Sequence, residues 1–131
     1  MAVRSSQEDF LLRELRKVAE MIARALGFRS KHDLSAARAE LDRAHSILLG
    51  SQAPLLRALD IESVVRLVNS SRKLAMLARL TAVDAGLAAD GGNGQLERQL
   101  MRRAMTLAES AVHLNPADEE AIAVQAELRA Q

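Results

Sequence analysis

Small residues at Ala104, Ala108 and Ala111, followed five residues later by Pro116, constrain the fold of this chain more than any other feature. Leu96, Leu100, Ala104, Leu107, Ala111 and Leu114 recur at spacings of three and four, which draws one continuous stripe along a helix. Alanines within that stripe let a neighbouring helix approach toward the close end of the usual interaxial range of roughly 8–10 Å. Asn115 and Pro116 end the helix, because the residue before a proline is pushed out of the α region. Asp118, Glu119 and Glu120 then load the first turn of a following helix with negative charge that suits its dipole, and Ala121, Val124 and Leu128 form its buried face.

The same spacing runs through the rest of the chain. Ser5 and Glu8 form a capping box ahead of the stripe Leu11, Leu15, Val18, Ile22 and Ala25, so a first helix is expected over about 7–26, with Gly27 as its stop. Asp33 or Ser30 starts a second, whose stripe of Leu34, Ala37, Leu41, Ala44 and Leu48 runs to Gly50. Pro54 suits a first helical position, placing Leu55, Leu56 and Leu59 on a short third helix. Asp60 restarts the chain into a helix with Ile61, Val64, Val65 and Val68, and Asn69 to Ser71 offers a cap for a longer one to about Ala88. Asp90 to Gly94 is a loop. The expectation is all-α, with more than ~70% helix and no sheet.

Ala37, Leu41 and Ala44 return as Ala104, Ala108 and Ala111 at an offset of 67, close to two 34-residue periods. Ser71, Ala75 and Ala78 lie 34 beyond the first set, but on the first helix of a hairpin instead of the second, so the array is irregular. Ala104, Ala111 and Pro116 resemble the second-helix and terminal-proline positions of tetratricopeptide repeats. Ala108 stands where that family often has an aromatic residue, and the first-helix tryptophan and tyrosine are missing. Over nearly the whole chain, the runs Leu48 to Leu59, Ile61 to Val68 and Leu74 to Gly86 also look like an uncharacterised bacterial family with a tetratricopeptide-like carboxy-terminal hairpin. The resemblance implies a right-handed stack of about six helices in one domain over residues 1–131, and it carries no catalytic residues to transfer.

Composition limits the functional classes. A chain of 131 residues buries about two thirds of its unfolded surface as one domain without staples. Cysteine is absent, which excludes disulfides and thiolate metal sites and leans toward a cytoplasmic setting. Residues 4–9 are polar or charged, unlike a secretory signal. Arg79 and Asp84 break the longest apolar stretch, so no membrane span is expected. A net charge of +1 gives no general attraction to nucleic acid or anionic lipid. Residues 1–31 carry seven basic against four acidic groups and residues 90–131 carry four against seven, a difference that could draw the chain's ends or neighbouring subunits together. With Phe10 and Phe28 as the aromatic residues, base stacking on single strands is not expected.

The search for chemistry finds spacings without a site. Gly91, Gly92, Asn93 and Gly94 lack the lysine and hydroxyl of a phosphate loop. Asp42 with His45, and Glu109 with His113, have helical ligand spacing, but the second pair projects about 200° away from Ala111. Both pairs read as surface polar residues, and neither metal, cofactor nor catalytic residue is assigned. A partner groove is the better functional reading, since stacked hairpins expose a concave face where basic and amide side chains hold acidic segments. Arg66, Asn69 and Lys73 are candidates for it if one helix continues through Asn69, with Arg98 and Arg102 four apart after the glycine loop. The expected function is a non-enzymatic protein-interaction module whose first partner is a second copy of itself, through Met76, Met101, Met105, the Val64 to Val68 cluster and Ile122. The alternative is a helical bundle that binds a small anion through its arginines.

Overall fold

The computed structural model of the chain describes residues 6–131, of which helix accounts for 87%, with no strand among them. Seven α-helices follow one another: α1 (Ser6–Ser30), α2 (Leu34–Leu49), α3 (Ala53–Ala58), α4 (Ile61–Val68), α5 (Ser71–Asp90), α6 (Gly94–Leu114) and α7 (Glu119–Arg129), with a 3-10 turn at Gly50–Gln52. Ser5 of the expected capping box lies outside the described residues.

Caps at these boundaries are side-chain carboxylates, amides and hydroxyls. Asp33 accepts from the Ala36 N–H, Asp60 from Ser63, Ser70 from Lys73 and Asn93 from Leu96, each satisfying an amide that the first helical turn leaves without a partner. Asp118 does more: one carboxylate oxygen caps α7 through the Glu120 and Ala121 amides, and the other accepts from the Ser71 hydroxyl at 2.6 Å. The acidic start read from the sequence thus ties α7 to the head of α5. Gly27 does not stop α1. It lies within the helix, which runs to Ser30 and ends at a turn where His32 takes a φ of 60° and the Asp33 amide donates to the Phe28 carbonyl.

The packing has a simple order. Helix α1 packs on α2, both rest on α5, α5 packs most extensively on α6, and α7 lies against α5 and α6, while α3 and α4 bridge the two long hairpins. Helix α5 is therefore enclosed, and its buried residues lie on several sides: Leu74, Leu77, Ala78, Leu80, Thr81, Ala85 and Leu87 among them. The core joins Val18, Ile22, Ala37, Leu41, Leu48, Leu74, Leu80, Ala104, Leu107, Ala108, Ala111 and Val124. On α6 the central part of the expected stripe is buried, whereas its end residues Leu96 and Leu114 are about two-fifths exposed.

Two hairpins share one turn geometry. The Asp33 amide reaches back to Phe28 as the Asn93 amide reaches back to Ala88, and His32 and Gly92 both take positive φ. The structural repeat is thus 60 residues, one heptad less than the 67-residue offset of the alanine pattern. Under it Leu15, Val18 and Ala25 correspond to Ala75, Ala78 and Ala85, all buried. The seven-residue excess arises because a stripe shifted by two helical turns falls on nearly the same face.

Polar contacts fasten the layers at their edges. Glu40 on α2 is almost wholly buried and is held by Arg24 of α1 and by Arg43, which keep its carboxyl below the usual glutamate range against the opposing effect of burial. Arg29 of α1 pairs with Asp90 at the end of α5 at 2.6 Å. Its guanidinium passes so close to Gly86 that a Cβ there would lie 2.4 Å from Nη1.

Candidate functional site

Helices α1, α5 and α7 lie side by side and leave a groove of about 360 Å³ between them. Leu12, Arg16 and Ala19 of α1 face it, as do Arg72, Met76 and Arg79 of α5 and Glu120 and Val124 of α7. Spacings of four and three put each set on one side of its helix. Leu12, Arg16 and Ala19 lie 60 residues before Arg72, Met76 and Arg79, so equivalent faces of the two equivalent helices line the groove. Arg79 is paired with Glu127 at 3.2 Å. Arg16 and Arg72 are exposed and form no ion pair with another described residue. With Arg79 matched by Glu127, Arg16 and Arg72 against Glu120 leave an electropositive, partly apolar trough.

None of the five partner-groove candidates expected from the sequence occupies this groove, although Met76, expected at a contact with a second copy, does. Asn69 adopts the left-handed conformation, φ 45°, and closes α4 at Val68, so Arg66, Asn69 and Lys73 do not continue along one helix. The helix breaks there because the Asn69 amide closes on the Val65 carbonyl while Ser70 is already extended as the cap of α5. Arg66 is exposed on α4, and Lys73 lines a different, apolar groove with Phe10, Leu11, Ile47, Leu67 and Val68. Arg98 and Arg102 are exposed on α6, outside the α1–α5–α7 groove. The signal for Arg16, Arg72 and Arg79 was a second four-and-three strip beside each core stripe, Leu12, Arg16 and Ala19 on α1 and Arg72, Met76 and Arg79 on α5.

A second depression lies across the molecule, floored by α5, walled by α2 and α6 and closed at one end by α3, with a volume of about 560 Å³. Its α2 wall carries Arg38, Asp42, His45 and Leu49, its floor Leu77, Thr81, Asp84, Leu87 and Ala88, and its α6 wall Leu96, Leu100 and Arg103. His45 is buried, which corrects its reading as a surface residue. Its Nε2 lies 2.8 Å from Asp84 Oδ2, so the tautomer with the proton on Nε2 donates to that carboxylate, and Nδ1 is buried with no hydrogen-bond partner. Arg57 of α3 joins the two acids, donating to Asp42 at 3.0 Å and lying 3.6 Å from Asp84. Arg103 donates to the backbone carbonyls of Leu59 at 2.8 Å and Leu56 at 3.1 Å, receiving the carbonyls that the end of α3 leaves open.

Asp42 and His45 therefore serve separate partners. Glu109 and His113 are exposed, beside Val65 and Leu114. No group of three His, Asp or Glu side chains placed to hold a metal occurs among the described residues. No described helix is long and apolar enough to cross a membrane.

The chain matches no protein-family model, no curated protein and no solved structure, so its site is read from geometry alone.

Proposed function

We propose that the chain is a non-enzymatic protein-interaction module of the cytoplasm, a tetratricopeptide-like stack whose α1–α5–α7 groove receives an acidic, partly apolar segment of a partner protein. The carrying observation is the groove itself, in which Arg16 and Arg72 face solvent without carboxylate partners beside Leu12, Met76 and Val124. Packing order supports the stack: each hairpin rests on the first helix of the next, α1 and α2 on α5, then α5 and α6 on α7. Such a segment would gain from charge-assisted hydrogen bonds to the guanidinium forks and from apolar burial between them.

Capture of partners from the source cell, compared between the native chain and the Arg16→Glu, Arg72→Glu double variant, tests this reading. Proteins bearing acidic segments should be recovered by the first and lost with the second. An unchanged set of captured proteins would refute the groove.

Self-association is the second reading, favoured by Phe10 and Leu67, both more than half exposed on the apolar groove between α1, the end of α2 and α4. Val64, one of the residues expected at a subunit contact, is buried in the core, while Ile122 is nearly half exposed. Light scattering should give a dimer mass that Phe10→Glu with Leu67→Glu reduces to a monomer. A monomer mass for the native chain would end this reading.

A further inference from the structure

The cleft on the opposite face from that groove has a different chemistry. Its α6 wall is apolar at Leu96 and Leu100 and ends at Arg103, its floor adds Leu77 and Leu87, and α3 contributes Leu56. On the polar side the acids are matched, because Arg57 lies between Asp42 of α2 and Asp84 of the floor, and Asp84 also receives His45, while Arg38 of α2, with no ion pair among the described residues, is exposed to water. Arg103 is the exception. It is half-buried, and its two hydrogen-bond acceptors are neutral carbonyls.

A guanidinium has five N–H donors, and Arg103 commits one from each terminal nitrogen to Leu59 and Leu56. Removing a cation from water without placing an anion against it is costly. Burial accordingly pushes the Arg103 guanidinium below the usual arginine range, with Asp60 offsetting part of the effect. Among the described residues no carboxylate forms an ion pair with it. About 560 Å³ falls within the size range of small-molecule sites, which are mostly apolar with a few convergent polar groups.

We propose that the cleft between α2, α5 and α6 binds a small organic anion, its charged group on the free donors of Arg103 and its apolar body along Leu100, Leu77 and Leu56. The shared chemistry is one oxyanion on a short hydrocarbon or aromatic body. Carboxylates and phosphate monoesters both supply it, and both match the planar fork. Asp42 on the facing wall and Asp84 on the floor disfavour a second acidic group on the ligand's body, which selects a body that is apolar rather than acidic. This site is independent of the protein groove on α1, α5 and α7, and either could fail without the other.

Calorimetric titration of the full chain with octanoate and with phenyl phosphate, and with octanol as the uncharged counterpart, tests it. At least one anion should bind once per chain, at least about tenfold more tightly than octanol. Saturation by octanoate alone identifies a carboxylate site, and saturation by phenyl phosphate alone a phosphate monoester site. Methyl resonances of Leu100, Leu77 and Leu56 should move on binding. Arg103→Gln should weaken the anion by about tenfold or more. Because Arg103 also holds the end of α3, Leu100→Glu supplies the second variant: it places a carboxylate one helical turn before Arg103, should keep the helical circular dichroism, and should abolish anion binding. No saturation by either anion, equal binding of octanol, survival of binding in Leu100→Glu, or resonance shifts at Met76 and Leu12 instead of the cleft would each overturn the proposal.

Discussion

Replacing Ala104 by leucine probes the most extensive helix–helix contact among the described residues. Ala104 has no exposed surface, and with Leu107, Ala108 and Ala111 it forms the core-facing part of α6, the helix that packs most extensively on α5. Ala78 and Ala85 of α5 are wholly buried as well, so the added carbons of leucine must displace the packed neighbours of Ala104. Forcing side chains off their rotamers or separating the helices costs about 1–3 kcal/mol. An unfolding entropy of about 2.1 cal/mol/K per residue over 131 residues gives about 0.28 kcal/mol/K, so Tm should fall by about 4–11 °C. Ala39, exposed on α2, provides the same chemical change at a helical position without a neighbour, and Ala39→Leu should stay within about 0.5 kcal/mol of the native chain. Urea denaturation followed by circular dichroism separates the two through the midpoint, with an unchanged slope indicating that the unfolded surface is the same. Equal midpoints for Ala104→Leu and Ala39→Leu would refute close α5–α6 packing through alanine, and with it the main support for a tetratricopeptide-like hairpin.

Three further outcomes follow from contacts at the element boundaries. Asp118→Ala should cost about 2 kcal/mol or more in denaturant unfolding, since it removes the cap of α7 and leaves the buried Ser71 hydroxyl without its acceptor. Asn69→Ala should destabilise by about 1–2 kcal/mol while Asn69→Gly is tolerated, because φ is 45° there; equal stability of the two variants would contradict the left-handed cap. The folded-state pKa of Glu40 is lowered by Arg24 and Arg43, so its contribution to stability is complete above the ordinary value of 4.5 and is lost as pH falls through the lower folded value. Glu40→Gln should therefore make the loss of stability on acidification shallower than in the native chain, and parallel acid limbs would show that this carboxylate contributes nothing to the acid limb.

Helix content was legible in the sequence because the three-four spacing is a local property of each segment, and the caps at Asp33, Asp60, Ser70 and Asp118 act within one turn of where they stand. The groove was not. Arg16 and Arg72 are 56 positions apart, and only the packing of α1 and α7 on either side of α5 brings their faces together. Expecting Arg66, Asn69 and Lys73 on one face required an unbroken helix, and one asparagine whose backbone lies in the left-handed region was enough to separate them. His45 shows the reverse case. Three residues from Asp42 it suggested a ligand pair, yet its real partner, Asp84, lies 39 positions away on the helix that the whole fold encloses.

That enclosed helix also explains why the chain can carry two dissimilar surfaces. Helix α5 is covered by α1 and α7 on one flank and by α2 and α6 on the other, and each pair of neighbours leaves one strip of it open. Arg72, Met76 and Arg79 occupy the first strip, and Leu77, Thr81 and Asp84 the second. The strips are offset along the helix surface by one residue at Met76 and Leu77, an angular step of about 100°, and the offset grows to about 140° between Arg79 and Asp84, five residues apart. With buried Leu80 between them and buried Ala78 and Ala85 behind, neither strip can widen into the other. A single α5 substitution on one strip should consequently alter one surface while leaving the other intact: Met76 reports on the protein groove, Leu77 on the cleft.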